Sequence, residues 1–595
     1  MTKLICTLLA FLTLFALPAL AQTTDDGVMR EGLTAIELTR LMGNGINLGN
    51  TFEACDTSRP YSPGSEPQSY EVLWGQPVTT QDMLLGMKAA GFDTIRIPVA
   101  WMTNATDLPN DYTIDAAYLA RVKEVVDYAR SAGMYVIIND HWDGGWWGMF
   151  GSESPATRQL AMEAYTGMWK QIATHFADYS DFVIFESANE ELGGRFDEDS
   201  SRYCTDSIVT YLSDDERYAL TNEINQAFVD TIRATGGNNA ARFLLIAGFS
   251  TNIDQTCDER FKMPADSAQD KLLLSVHYYD PWSYCGASSA DGATAWGTKD
   301  NYAAMDERLS QLQKFTRQGV GVVIGEYGAL PGGDGKMKTN ALNYHTRFLD
   351  LCDYYDLTSC LWDCSGFFVR RSLAMSDAKI ADLYATRNAA SEAGMDYADV
   401  QSAAKARLDA GMEAAPVTFL EDAIILTDAN AVAWIMWNDG SWALSYSVGD
   451  DYNPDSISPG LKVTDVEITG PGTYTVGLDF TGTAQGYSKS IAFAALAIAN
   501  GEKLFPNHII DIKEVLINGE VYRLKGRAYT TSDNGVTTRV NLYNGWVTAI
   551  PVGTARMHYG NLAGATATPI NLNDAVTQQI ETIYVTFEYS PMKTR

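Results

Sequence analysis

The chain has 595 residues, 46% of them hydrophobic, so it is too long for one core and too apolar for a disordered chain; two or more globular domains are expected. A formal charge of −31 repels a phosphate backbone and argues against nucleic-acid binding, whereas a neutral polymer such as a polysaccharide is indifferent to it. The 11% aromatic content, including 13 Trp, is compatible with stacking on sugars, although most tryptophans in a globular protein are core.

Residues 1–21 read as a secretory signal peptide. Lys3 supplies a positive start, Leu4 to Leu17 is almost wholly apolar, and Ala19-Leu-Ala21 offers a cleavage site after Ala21. The apolar run is short for a membrane span, and Cys6 lies too far from the cleavage site for lipid attachment. No later stretch is long and apolar enough to span a bilayer. The expected destination is the periplasm, the cell surface or the medium. Export permits disulfides, and seven cysteines remain: Cys55, Cys204, Cys257, Cys285, Cys352, Cys360 and Cys364. An odd number leaves at least one unpaired, and a Cys204–Cys257 bridge is plausible. A zinc site at Cys360 and Cys364 is disfavoured, because His is scarce and no C-x-x-C pair is present.

From Glu31 to about Arg387, strands and helices alternate. Strands are expected at Gly45–Leu48, Asp93–Val99, Met134–Asn139, from Phe182, at Arg242–Ala247, at Lys271–Val276, ending at Glu326, and at Leu357–Trp362. Helices are expected at Thr80–Ala90, from a cap at Asp115 to Ala132, at Arg158–Phe176, Asp215–Thr235, Asn301–Gln318 and Asn340–Tyr355. Eight strands joined by helices fit an α/β fold of the (β/α)8, or TIM, barrel type. A doubly wound open sheet is the alternative, but the Gly-Asn-Thr51 turn after the first strand is no phosphate loop. An Ala-rich helical segment closes the first domain, placed at residues 22–412. In residues 415–595, short strands rich in Val, Ile, Thr and Tyr alternate with turn signals such as Asn518-Gly519, an all-β pattern expected to form a sandwich or jelly roll.

The chemistry gathers at the strand ends. Phe182-Val-Ile-Phe185 is apolar without alternation, as in a strand covered on both faces, and then turns polar at Asn189, Glu190 and Glu191. Val320-Gly-Val-Val-Ile-Gly-Glu326 has the same form. Two strand ends carrying carboxylates supply the pair that glycoside hydrolysis needs. Arg96, His141, His277, Tyr279, Trp362 and Asp363 fall at the ends of other strands, on the rim where such barrels keep their sites. Arg96 or His277 alone is more often a structural partner; their convergence beside two Glu points to a site that holds one carboxylate ionised and tunes the other. Glu186 and Glu191 are rivals of Glu190 for the acid role. On a regular strand Asn189 and Glu190 face opposite ways, so the strand must bend or end there.

These motifs together resemble glycoside hydrolase family 5: Gly45-Ile-Asn-Leu-Gly-Asn-Thr51, Thr94-Ile-Arg-Ile-Pro98, Val136-Ile-Ile-Asn-Asp-His141, Asn189-Glu190, His277-Tyr-Tyr279, Ile324-Gly-Glu-Tyr-Gly328 and Trp362-Asp363. The resemblance implies Glu190 as general acid/base and Glu326 as nucleophile of a retaining enzyme that needs no cofactor or metal. It implies Arg96 and Tyr279 as contacts of the nucleophile, and Asn189 as the contact of the sugar 2-hydroxyl. It further implies that His141 and His277 bind that sugar or support the carboxylates, and that Trp362 is the stacking platform. Asn50 in the first motif and the rim tryptophans Trp142, Trp146, Trp147 and Trp282 are substrate-binding candidates, and Trp296 also follows the sixth strand on the rim. The pattern His141-Trp-Asp-Gly-Gly-Trp146, with Trp362-Asp-Cys-Ser-Gly366 and Arg370-Arg371, looks like subfamily 4, which implies an endo-β-1,4-glucanase acting on cellulose, xyloglucan or mixed-linkage glucan. Many relatives carry two adjacent His where this chain has His141-Trp142. A β-mannanase is the near alternative, and a non-catalytic surface glycan-binding protein the distant one. A monomer with a β-glucan as its partner is expected. Trp437, Trp442, Tyr446 and Trp546 are candidate sugar platforms in the C-terminal half, unless they are buried there.

Overall fold

A computed structural model describes residues 25–58, 61–204, 212–286, 296–332, 336–392, 394–417, 423–440, 444–449, 451–522, 530–532, 535–544, 558–559 and 579–592. The expected signal peptide, Trp442 and Trp546 lie outside the described residues.

Eight parallel strands close into a barrel in sequence order: β1 (Asn44–Asn47), β2 (Thr94–Ile97), β3 (Tyr135–Asn139), β4 (Val183–Glu186), β5 (Leu244–Ala247), β6 (Leu272–Tyr278), β7 (Gly321–Tyr327) and β8 (Leu357–Leu361), with β1 pairing β8. The open-sheet alternative is thereby excluded. The strands lack polar alternation because both faces are covered. Alternate residues enter two separate cores. Ile137, Ile184, Leu245, Leu273 and Val323 fill the barrel interior, whereas Val136, Ile138, Val183, Phe185, Leu244 and Ile246 pack outward among the helices.

That parity decides which polar side chains point inward. Asn47, Arg96, Asn139, Glu186, Ser275 and His277 lie in phase with the interior positions of their strands, above the apolar floor. Glu326 does not, being in phase with the outward Val322 and Ile324. A register shift between β6 and β7 corrects this: Val276 pairs with Ile324, but His277 pairs with Glu326. The extra residue, Gly325, turns the carboxylate into the barrel beside His277.

The helices run close to their expected spans. Asp115 caps Ala116–Ser131, its side chain accepting the N–H groups of Ala117 and Tyr118. Ser154 caps Pro155–His175, three residues earlier than the expected start, with Pro155 in the first turn where a missing N–H costs nothing. The expected helix 301–318 is two pieces, Lys299–Ser310 and Gln313–Thr316. Tyr397–Ala414 ends the helical part. Beyond it, among the described residues, lie a seven-stranded and a five-stranded sheet. Residues from both, among them Trp434, Val476, Leu496, Val585 and Phe587, share one apolar core distinct from that of the barrel. Asn518 and Gly519 both adopt positive φ in the two-residue turn joining Ile517 to Glu520, as that turn requires.

None of the seven cysteines is paired, so the Cys204–Cys257 bridge does not form. Trp437 and Tyr446 are buried in the C-terminal core, with Tyr446 hydrogen-bonded to Asp465, and neither offers a face to a sugar.

Candidate active site

Arg96 is the centre of the site. Its guanidinium is fully buried at the end of β2 and reaches three other strands or their loops. Nε donates to Glu186 Oε2 at 2.7 Å, Nη1 to Asn47 Oδ1 at 2.9 Å and to Glu326 Oε1 at 3.0 Å, and Nη2 to Asn189 Oδ1 at 2.7 Å. Burying a cation costs several kcal/mol unless it is paired and hydrogen-bonded, and here two carboxylates and two amides supply the partners. The partners are held in turn: Ser275 Oγ donates to Glu186 Oε1 at 2.6 Å, and Asn47 Nδ2 to the Gly325 carbonyl at 2.9 Å.

Strand β4 ends at Glu186, and Asn189 and Glu190 follow in a bend, which frees both from strand alternation. Glu190 Oε1 lies 2.9 Å from His277 Nδ1. Tyr279 donates its hydroxyl to Glu326 Oε2 at 3.1 Å. One donor atom each of Glu190, His277 and Glu326 lie within 4.8 Å of one another. That trio is close enough to share a cation, but Arg96 already supplies positive charge at Glu326. Of the rivals for the acid role, Glu186 is fully engaged with Arg96 and Ser275, and Glu191 is buried behind Glu190.

The electrostatics follow from burial. Burial and the positive charge of Arg96 hold His141 well below the usual imidazole range, so it is neutral. Burial and the neighbouring carboxylates push the Tyr279 hydroxyl far up, so it stays a donor to Glu326. Burial raises Glu326 more than His277 and Arg96 lower it. Burial also pushes Glu190 up, but its hydrogen bond to His277 and the charges of His277, Arg195 and Arg96 outweigh that push and bring it down.

The aromatic residues divide. Trp362 is half-buried and its ring lies parallel to His141, 5.8 Å between centroids at 7°. A Cβ on Gly49 would meet Trp362 Cζ2 at 2.9 Å and the Asp363 carbonyl at 2.7 Å, so only glycine allows β8 to deliver this indole so close to the end of β1. Trp142 is half-buried, donates Nε1 to Glu198 Oε1 at 3.3 Å, and stacks on Trp74 at 6.2 Å. Trp282 is 55% exposed and stands edge-on to Tyr279. Asn50 is half-buried with φ +57, its backbone N–H donating to the Glu53 carboxylate. Trp146 and Trp147 are corrected from rim to core: both are fully buried, packed on each other at 4.7 Å and on Phe150. The Gly144-Gly145 turn, with φ of +67 and +87, folds them back under the loop. Trp296 is also core. Trp74 went unremarked in the sequence; its exposure of 39% and its stacking on Trp142 mark it only in three dimensions. Asn47 and Ser275 were legible in principle as polar residues inside apolar strands.

A closed parallel barrel whose strand ends bring a buried arginine, an imidazole and two acidic groups together defines a glycoside hydrolase. Comparison with known proteins agrees. Residues 56–367 match the cellulase (glycosyl hydrolase family 5) model. The chain is 35% identical over 374 residues to endoglucanase A of Paenibacillus barcinonensis, covering 58% of this chain and 85% of that one. It is 34% identical over 364 residues to a xyloglucan-specific endo-beta-1,4-glucanase of Bacteroides ovatus, covering 59% and 67%. Among solved structures, a GH5-4 broad specificity endoglucanase from Clostridium longisporum superposes with a TM-score of 0.52 at 29% identity, covering 61% of this chain and 99% of that one. The chain belongs to glycoside hydrolase family 5, and its relatives place it near subfamily 4.

Proposed function

We propose that the protein is an endo-acting β-1,4-glucanase that cleaves plant cell-wall β-glucans with retention of configuration. Glu326 is the nucleophile and Glu190 the general acid/base. The observation that carries this reading is the close approach of the two carboxylates, one oxygen of each lying within 4.8 Å of the other with His277 between them in reach of both. Retaining pairs sit about 5–5.5 Å apart, whereas an inverting pair needs about 6.5–9.5 Å to admit a water.

Glu326 attacks the anomeric carbon while Glu190 protonates the departing glycosidic oxygen. Glu190, now a carboxylate, then takes a proton from water, which releases the sugar from Glu326. Arg96 and Tyr279 fix the two oxygens of Glu326 and favour its charged form. Because Arg96 claims Oδ1 of Asn189, the amide NH2 is the end left for the 2-hydroxyl. The shifts of the protein alone run against the roles, with Glu190 down and Glu326 up. Substrate reverses the first of these: the Glu190 side chain is 39% exposed, so a sugar covering it removes water and favours its neutral, acid form. Glu326, 8% exposed, has less water to lose and keeps its cation.

Partly exposed aromatic rings follow two of the barrel strands, Trp142 stacked on Trp74 after β3 and Trp282 edge-on to Tyr279 after β6, which suits binding of a long chain. The apolar run Leu4–Leu17 and the site ending at Ala21 support export, and no helix among the described residues is long and apolar enough to cross a membrane. Residues 415–595 read best as an accessory β-sandwich with a structural role, since Trp437 and Tyr446 are core. The test is product analysis on tamarind xyloglucan, barley β-glucan, carboxymethylcellulose and glucomannan, beside Glu326→Ala. Rapid viscosity loss and oligosaccharides from the glucans, abolished by the substitution, are expected. Cleavage of glucomannan alone would make the protein a mannanase, and unchanged hydrolysis by Glu326→Ala would remove it as nucleophile.

A further inference from the structure

A third acidic residue stands at the turn beyond β4. Glu191 directly follows Glu190 and is fully buried. Its Oε2 accepts the backbone N–H of Asn189 at 2.8 Å, and its Oε1 meets no hydrogen-bond partner in the described structure. The chain after it is pinned to the loop after β5: Ser250 N–H donates to the Leu192 carbonyl at 2.6 Å, and Gly194 N–H to Ser250 Oγ at 3.1 Å. A Cβ on Gly193 would meet the Phe249 ring at 2.4 Å, so this stretch has no slack. Before it, Ser187 N–H is fixed to the Leu245 carbonyl at 2.9 Å. Between those anchors, Asn189 and Glu190 must both face the cleft, against the alternation of an extended chain. The bond from Glu191 back to Asn189 spans that interval.

We propose that Glu191 is a positioning residue for the hydrolytic reaction: by accepting the Asn189 amide, its carboxyl closes the bend that turns Asn189 and Glu190 into the cleft together. This rests on the reading of Glu190 as the acid/base. The groups that face Glu191 are Arg195, Glu190 and Asp140. Burial, opposed by Arg195, pushes Glu191 up to about 8. At pH 6 it is therefore neutral and acts through a carbonyl-type oxygen, which glutamine reproduces at the same reach and alanine lacks.

Two substrates separate positioning of the acid from general loosening. Barley β-glucan needs protonation of its leaving group; 2,4-dinitrophenyl β-cellobioside does not. At pH 6, Glu191→Ala is expected to lower kcat on β-glucan about 10–100-fold, a part of what a general acid contributes. KM should stay within about threefold of wild type; kcat/KM on the aryl glycoside, which needs Asn189 but no acid, should fall clearly less than kcat on β-glucan, and Glu191→Gln should keep kcat on both substrates within about threefold. Wild-type kcat on β-glucan in Glu191→Ala, or equal losses on both substrates, would overturn the proposal. If Glu191→Ala does not fold, Glu191→Asp, too short to reach the amide, takes its place: a larger loss on β-glucan than on the aryl glycoside supports the proposal, and wild-type behaviour or equal losses overturn it. Glu190→Gln is run alongside. If it still hydrolyses β-glucan, the acid assignment fails and takes the proposal with it; if it is inactive while Glu191→Ala is normal, only the proposal fails.

Discussion

Two regions of the barrel bury charge to the same depth with opposite results. Around Arg96, β1, β4, β7 and the bend after β4 contribute four matching acceptors, and the cation stays charged. Behind Glu190, Asp140 and Glu191 are equally buried, but the side chains facing them are largely acidic, Asp143 and Glu191 at Asp140 and Glu190 at Glu191. Burial, reinforced by Asp143 and Glu191, pushes Asp140 well above the carboxylate range. Glu191 is pushed to about 8, with Arg195 only partly offsetting its burial. Burial alone therefore does not set the charge state; the supply of oriented partners does. The first region keeps a buried cation charged against the nucleophile, and the second keeps acids neutral beside it.

The comparison is broken most severely at Arg96. Arg96→Met should leave Glu186 and Glu326 buried without their cation, costing about 3–5 kcal/mol in denaturant unfolding. It should also lower kcat about 10²–10³-fold through the lost support of Glu326. A next-largest effect separates the two classes of tryptophan. Trp147→Ala should destabilise by about 3–5 kcal/mol because it empties a core position. Trp142→Ala should cost only about 0.5–1.5 kcal/mol, the worth of its stacking on Trp74, and act instead through a raised KM on polysaccharide. Equal effects of the two on stability would contradict their assignment to core and cleft.

A further effect lies in the pH dependence of stability. The Glu191 carboxyl has a folded value of about 8, above the 4.5 of a free glutamate. Above pH 4.5 the unfolded chain releases this proton and the folded one does not. Stability therefore falls as pH rises from about 4.5 towards 8 and levels off beyond, and below 4.5 the group contributes nothing. Glu191→Gln removes the term. Its thermal unfolding temperature should match wild type near pH 4.5 and exceed it increasingly up to pH 8. A constant difference across that range would mean that Glu191 does not titrate as a buried acid.

Much of this was legible in the sequence because its physical origin is local. Apolar runs such as Phe182–Phe185, stopped by polar residues, mark barrel strands and their functional ends without any tertiary knowledge. The pairing of Glu190 with Glu326 followed from two such ends. What escaped was geometry that depends on register or on loops. The one-residue shift at Gly325 that turns Glu326 inward leaves no trace in hydrophobic pattern. Trp146 and Trp147 sit in the same motif as Trp142, and only the course of the Gly144-Gly145 turn separates core indoles from a cleft indole. Trp74, far from any strand end in sequence, joins the site through a loop that periodicity cannot trace.

The most direct measurement follows the anomeric configuration of the first product by proton NMR during hydrolysis of a cello-oligosaccharide. Double displacement through Glu326 predicts that the β-anomer of the new reducing end appears first and the α-anomer only later, by mutarotation. An α-anomer at the earliest times would mean single displacement by water, and the pairing of Glu190 with Glu326 as acid and nucleophile would be wrong.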